Sequence, residues 1–166
     1  MTDPLVEGTR VAELVAVLTE RGETVATAES LTAGLLAATI ACVPGASAVL
    51  RGGLVVYATD LKSTLGGVDR RQLAQDGPVS ASTAHALAEG ARERCGADWG
   101  IGLTGVAGPD TQDGHPVGTV FLSISGASGT SVRHLGLAGD RWSIRKSTVS
   151  VAVSGLLDRV QGTSAG

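Results

Sequence analysis

Short apolar runs alternate with stretches of helical spacing from residue 5 to residue 103, and that alternation leaves few folds open to the chain. Val11, Leu14, Val15 and Leu18 share one helical stripe within residues 5–21, and Gly22 stands where a left-handed helix cap belongs. The pattern then predicts a buried strand at 24–28, a helix at 31–42 closed by Pro44-Gly45, and a second strand at 48–57. A short helix is expected at 69–75, a longer one at 80–95 with Ala84, Leu87, Ala88, Ala91 and Cys95 on one side, and a third strand at 99–103. Residues 104–116 are dense in Gly, Pro and Asp and too long for an ordinary connector, which marks a binding loop. The runs 117–125 and 131–137, joined by Gly126-Ala-Ser-Gly129, read as an antiparallel hairpin. Gly139-Asp140 opens a last helix that runs to about Val160 with Trp142, Val149, Val153 and Leu156 on one face, before a Gly-Thr-Ser-Ala-Gly tail expected to fray.

Helix-separated strands followed by a hairpin predict an α/β fold: a three-layer α/β/α sandwich on a mixed, mainly parallel five-stranded sheet. The length suits one domain over residues 1–166, with its core between about 9 and 160. Apolar residues are 43% of the chain but aromatics only 2%, so the core must be closely packed Ala, Val, Leu and Ile. A net charge of −3 with no basic run argues against nucleic acid as a partner. Cys42 and Cys95 are far apart, without metal-ligand spacing, and read as buried free thiols. No apolar run long enough for a signal core or a membrane span is present, so a cytoplasmic protein without a membrane partner is expected.

In sheets of this kind ligands bind beyond the carboxyl ends of the parallel strands. Three such ends carry polar chemistry: Glu29-Ser30, the segment from Tyr57 to Lys62, and Thr104-Gly105. Ser30 at a strand-to-helix turn reads either as an ordinary helix N-cap or as a nucleophile beside oriented helix N–H donors. A serine nucleophile needs a base. His85, His115 and His134 are poorly placed for that role, and no GxSxG elbow is present. Lysine serves instead when desolvation keeps it neutral, and only Lys62 and Lys146 exist. Ser143-Ile-Arg-Lys146 matches SxxK without its companion motifs and reads as coincidence on a helix. Lys62 lies on the same sheet edge as Ser30, although on spacing alone the reading as an ordinary solvated lysine prevails.

Taken together, Thr27-Ala-Glu-Ser-Leu-Thr-Ala-Gly34, Tyr57-Ala-Thr-Asp-Leu-Lys62, Thr104-Gly-Val-Ala-Gly-Pro109, Pro116-Val-Gly-Thr-Val120 and Gly139-Asp-Arg141 resemble the C-terminal domain of the competence and damage-inducible protein CinA. The similarity runs in order from about residue 9 to 160. Stand-alone members of that family are nicotinamide-nucleotide amidohydrolases, or NMN deamidases. The resemblance implies that Ser30 attacks the carboxamide carbon of nicotinamide mononucleotide, that Lys62 is the general base, and that neither metal nor organic cofactor is required. It further implies that Tyr57, Thr104 and Gly105 line the substrate site, that Arg141 meets the substrate phosphate, and that the chain forms a homo-oligomer. Asp140 reads as the cap beside that arginine. The family commonly has glycine where this chain has Ala33, a methyl expected to narrow the pocket or shift an N–H donor; Leu31 and Thr59 depart from its pattern too. The alternatives are a catalytically idle nucleotide-binding or regulatory module and, against the charge balance, a DNA-binding role.

Overall fold

The computed structural model describes residues 3–162. Five strands, β1 (Val25–Glu29), β2 (Leu50–Val55), β3 (Trp99–Gly105), β4 (Thr119–Gly126) and β5 (Gly129–Gly136), form one sheet in the order β2-β1-β3-β4-β5. β1 pairs in parallel with both β2 and β3, whereas β3–β4 and β4–β5 are antiparallel. The sheet is therefore mixed, as expected, with β4 alone opposed in direction.

Helices α1 (Val11–Arg21), α2 (Leu35–Ala41) and α6 (Arg141–Gly162) cover one face, where Leu14, Leu36, Ile40, Ile101, Leu103 and Leu156 are fully buried. α3 (Thr59–Thr64), α4 (Arg70–Asp76) and α5 (Ala81–Cys95) complete the fold, with Leu73 of α4 and Leu87 of α5 packing against Ala26 and Ala28. The alternation in β3 explains how a core so poor in aromatics closes. Ile101 and Leu103 fill the first face, and the intervening Gly100 and Gly102 leave the other bare. A Cβ on Gly100 would stand 2.0 Å from the Ala88 carbonyl oxygen, and one on Gly102 would stand 2.4 Å from that of Ala84. α5 thus lies directly on the sheet backbone. Its ends are fixed by the Ser80 hydroxyl, which accepts from the Thr83 amide, and by left-handed Gly96.

Several boundaries move from the sequence expectation. α2 starts at Leu35 rather than residue 31, because Ala33 and Gly34 both take positive φ and hold the chain in a turn. α3 was not anticipated: six residues are too few for a periodic signal. Thr104 and Gly105 end β3 instead of following it, and pair with Phe121 and Val120. Trp142 is exposed, since the buried stripe of α6 starts at Ile144. Both cysteines are free but only half-buried. α6 includes Gly162, and the rest of the tail expected to fray, residues 163–166, lies outside the described residues. No described helix is long and apolar enough to cross a membrane.

Gly102→Ala is expected to destabilise the fold by about 1–3 kcal/mol or more, because the methyl must displace helix backbone. Gly136→Ala on the edge strand, where a Cβ meets nothing within 4 Å, should stay within about 0.5 kcal/mol. Urea unfolding of the two variants beside the parent checks both.

Candidate active site

A cleft of about 430 Å³ opens at the carboxyl ends of β1, β2 and β3 and gathers Ser30, Tyr57, Lys62, Thr104, Gly105 and Arg141, which four separate stretches of sequence supply. Its outer wall is the segment 106–112, from the stretch expected to be a binding loop, and its floor includes Pro78 and Val79 ahead of α5.

The Ser30 turn is held from both sides. The Ser30 amide donates to the Leu103 carbonyl at 2.9 Å, and the Ser30 carbonyl accepts from the Ala33 amide at 3.0 Å. Ser30 does not cap α2. That role falls to the fully buried Glu29, whose carboxylate accepts from the amides of Leu36 and Ala37 at 2.8 and 3.0 Å and from the Thr27 hydroxyl at 2.9 Å. These α2 donors are therefore taken and do not face Ser30. The Ser30 hydroxyl, with the residue 8% exposed, has no hydrogen-bond partner among the described residues. Ala33 does not narrow the cleft: it is exposed, outside the lining, and sits at φ 48°, where an L-residue costs about 1–2 kcal/mol. A glycine there would remove that strain without changing the cavity wall.

Lys62 is not a solvated lysine. It is 2% exposed, and its Nζ donates to the carbonyls of Val56 at 2.9 Å and Tyr57 at 3.1 Å. No carboxylate lies within ion-pair distance of it among the described residues. Burial without a counter-charge pushes its pKa down from 10.5 to about 8. A neutral amine has two N–H groups and one lone pair, so the two carbonyls consume its donors and leave the lone pair free. α3 presents this side chain because glycines let its C-terminal turn settle against α5. A Cβ on Gly90 would stand 1.9 Å from the Gly66 carbonyl oxygen, and the Val68 amide donates back to the Lys62 carbonyl.

Around this pair the remaining polar groups have defined orientations. The Thr104 hydroxyl donates to the Pro78 carbonyl at 2.6 Å, so its oxygen is left to accept. Arg141 donates through Nη1 to the Gly108 carbonyl at 2.5 Å and through Nη2 to the Tyr57 hydroxyl at 2.8 Å. Among the described residues it has no carboxylate within ion-pair distance, although Asp110 lines the same cleft. Asp140 caps α6 by accepting from the Ser143 amide, which answers the helix dipole internally. An anion at this end would therefore depend on the guanidinium.

The three histidines stand outside the cleft: His85 lies 3.6 Å from Glu89, and His115 and His134 pack on Phe121. Lys146 does not line it either. Sequence reasoning had given no role to Glu29, and a glutamate followed by a free helix start is the signal that would have found it. The floor residues Pro78 and Val79 gave no sequence signal of their own.

The sequence model described as the CinA C-terminal domain matches residues 8–160. A CinA-like protein of Frankia casuarinae is 47% identical over 153 residues, 92% of this chain and 34% of that protein. A putative competence-damage inducible protein of Streptococcus pneumoniae is 46% identical over 134 residues, 80% of this chain and 32% of that protein. The chain spans about a third of the length of these curated relatives. Among solved structures, the competence/damage inducible protein CihA of Agrobacterium tumefaciens superposes with a TM-score of 0.85 at 34% identity, covering 89% of this chain and 94% of that one. A CinA superfamily protein from Escherichia coli gives a TM-score of 0.85 at 27% identity, covering 95% and 94%.

Buried Lys62 makes a prediction independent of any activity. Its folded pKa lies below its unfolded one, so the unfolded chain binds the extra proton between pH 8 and 10.5 and stability rises with pH across that window. Relative to Lys62→Met, which cannot titrate, the parent should gain stability from pH 8 to 10.5. Parallel unfolding curves at pH 7.5, 9 and 10 would read the change, and a constant difference would place the pKa of Lys62 at its ordinary value.

Proposed function

The chain belongs to the CinA C-terminal domain family, and we propose that it is an amidohydrolase converting nicotinamide mononucleotide to nicotinate mononucleotide and ammonia. The observation that carries this reading is a desolvated lysine without a counter-ion, lining the same cleft as an uncommitted serine hydroxyl. Such a lysine is a base near neutral pH, and a serine hydroxyl is a nucleophile only beside a base.

In the proposed reaction Ser30 Oγ adds to the carboxamide carbon as its proton passes to Lys62 Nζ. The tetrahedral adduct collapses, the C–N bond breaks, and Lys62 returns the proton so that ammonia leaves. Water, deprotonated by the same amine, then attacks the nicotinoyl ester; the ester C–O bond breaks, and Lys62 returns the proton to Ser30 Oγ, which restores both residues. Thr104 suits the amide end, because its oxygen can only accept and the carboxamide nitrogen only donates. Arg141 supplies the charge for the phosphate, and Tyr57 holds that guanidinium across the opening.

Ser30→Ala and Lys62→Ala should each abolish nearly all ammonia release, with the double variant no worse than either single one, because the two act as a unit. In the parent, kcat/KM should climb about tenfold per pH unit below pH 8 and level off above it, as Lys62 must be neutral. Binding of the mononucleotide without turnover would instead favour the idle nucleotide-binding module.

Arg141→Ala is expected to raise KM for the mononucleotide while leaving kcat nearly unchanged, and to spare the riboside, which lacks the phosphate. Steady-state kinetics on both substrates measure this. An unaltered preference between them would remove Arg141 from phosphate recognition.

A further inference from the structure

α6 carries a second arginine one turn beyond Arg141, and it does something different. Arg145 donates through Nε to the Leu31 carbonyl at 2.9 Å and through Nη2 to the Thr32 carbonyl at 3.0 Å. Its guanidinium lies 5.7 Å from the ring centroid of Trp142, which gives that exposed indole a reason to be there. The two carbonyls belong to the two peptide units next after that of Ser30. Each peptide unit is planar, so fixing the Leu31 carbonyl also fixes the Thr32 N–H on its opposite side.

Among the described residues the backbone N–H groups of Leu31 and Thr32 have no acceptor. They follow Ser30 directly, and Leu31 lines the cleft while its side chain packs in the apolar cluster with α1, α2 and α6. The α2 amides cannot supply this function, since Glu29 occupies them. An acyl transfer at Ser30 needs donors for the oxygen that becomes negative, and preorganised backbone N–H groups are the usual source.

We propose that Arg145 is a positioning residue: its grip on the Leu31 carbonyl fixes the Thr32 amide, and its grip on the Thr32 carbonyl fixes the Ala33 amide, whose bond to the Ser30 carbonyl in turn fixes the Leu31 amide, so that the unpaired amides of Leu31 and Thr32 are held as the oxyanion donors for attack by Ser30. This inference rests on Ser30 acting as the nucleophile. Lysine should replace Arg145 only in part, because an ammonium can meet two carbonyls but lacks the rigid planar fork that fixes their relative orientation through Nε and Nη2.

The test compares Arg145→Ala and Arg145→Lys with the parent, Ser30→Ala and Arg159→Ala. Arg159 is a control that holds the Ile124 and Gly129 carbonyls at the other end of α6. Arg145→Ala should lose about 10²-fold in kcat on mononucleotide and riboside alike, with KM nearly unchanged, and added guanidinium ion should restore part of it. Amide exchange at Ala33 and Leu35, whose N–H groups close this turn, should quicken in the same variant. Arg159→Ala should keep its kcat. A folded Arg145→Ala with parental kcat would overturn the proposal, as would a loss confined to the mononucleotide or one matched by Arg159→Ala. If the parent releases no more ammonia than Ser30→Ala, the amidase reading fails by itself. The exchange measurement then still decides whether Arg145 holds the turn, and unchanged exchange overturns that.

Discussion

The contact on which most of this structure depends is the seating of α5 on bare backbone, over Gly100 and Gly102 of β3 and against the turn at Gly66. It brings helix and sheet closer than side chains would permit. The consequences reach the cleft by two routes. The segment before α5 carries Pro78, whose carbonyl orients Thr104 at the end of β3. The Gly66 turn against Gly90 locates α3, and with it the buried amine of Lys62. A core of small residues is thus the means by which two helix ends are delivered to one sheet edge, and larger side chains at these glycines would move the chemistry as well as cost stability.

The charges divide in the same way. Glu29 and Lys62 are both buried near the carboxyl end of the sheet, yet they do not pair. Two α2 amides and Thr27 satisfy the carboxylate, while the lysine is given only neutral carbonyl acceptors. Had the carboxylate faced the amine, Coulomb attraction would hold the proton and lift the pKa. Keeping the two apart leaves desolvation dominant and brings the pKa to about 8.

Much of this was legible in the sequence, for reasons specific to each element. The order of strands followed from apolar runs and helical stripes, and Gly126 and Gly129 announced the hairpin that they close. The three strand ends leading to Ser30, to α3 with Lys62, and to Thr104 were legible because parallel strands fix which edge they share. The start of α2 was misread because a positive φ at Ala33 violates the local preference of alanine and is imposed by the turn. Glu29 carried a local cue, a glutamate just ahead of a helix start, whereas the role of Arg145 had none, since it acts through backbone groups distant in sequence. Spacing within a motif says nothing of a guanidinium that reaches back 114 residues to the Leu31 carbonyl.

The start of α6 shows why two arginines are needed where one charge would serve an anion. Asp140 takes the helix N-terminus for itself, so α6 is anchored but offers little field to a ligand. Arg141 restores positive charge at the cleft and is steadied by neutral groups, the Gly108 carbonyl and the Tyr57 hydroxyl, which leave that charge unspent. Arg145, four residues on, spends its donors on the turn behind Ser30. Both residues ride on one rigid helix, so the distance between the Arg141 charge and the serine turn is set by helix geometry. In the proposed reaction, a ligand held by its anionic end at Arg141 would have to reach Ser30 with its other end, which would select for length as well as for charge.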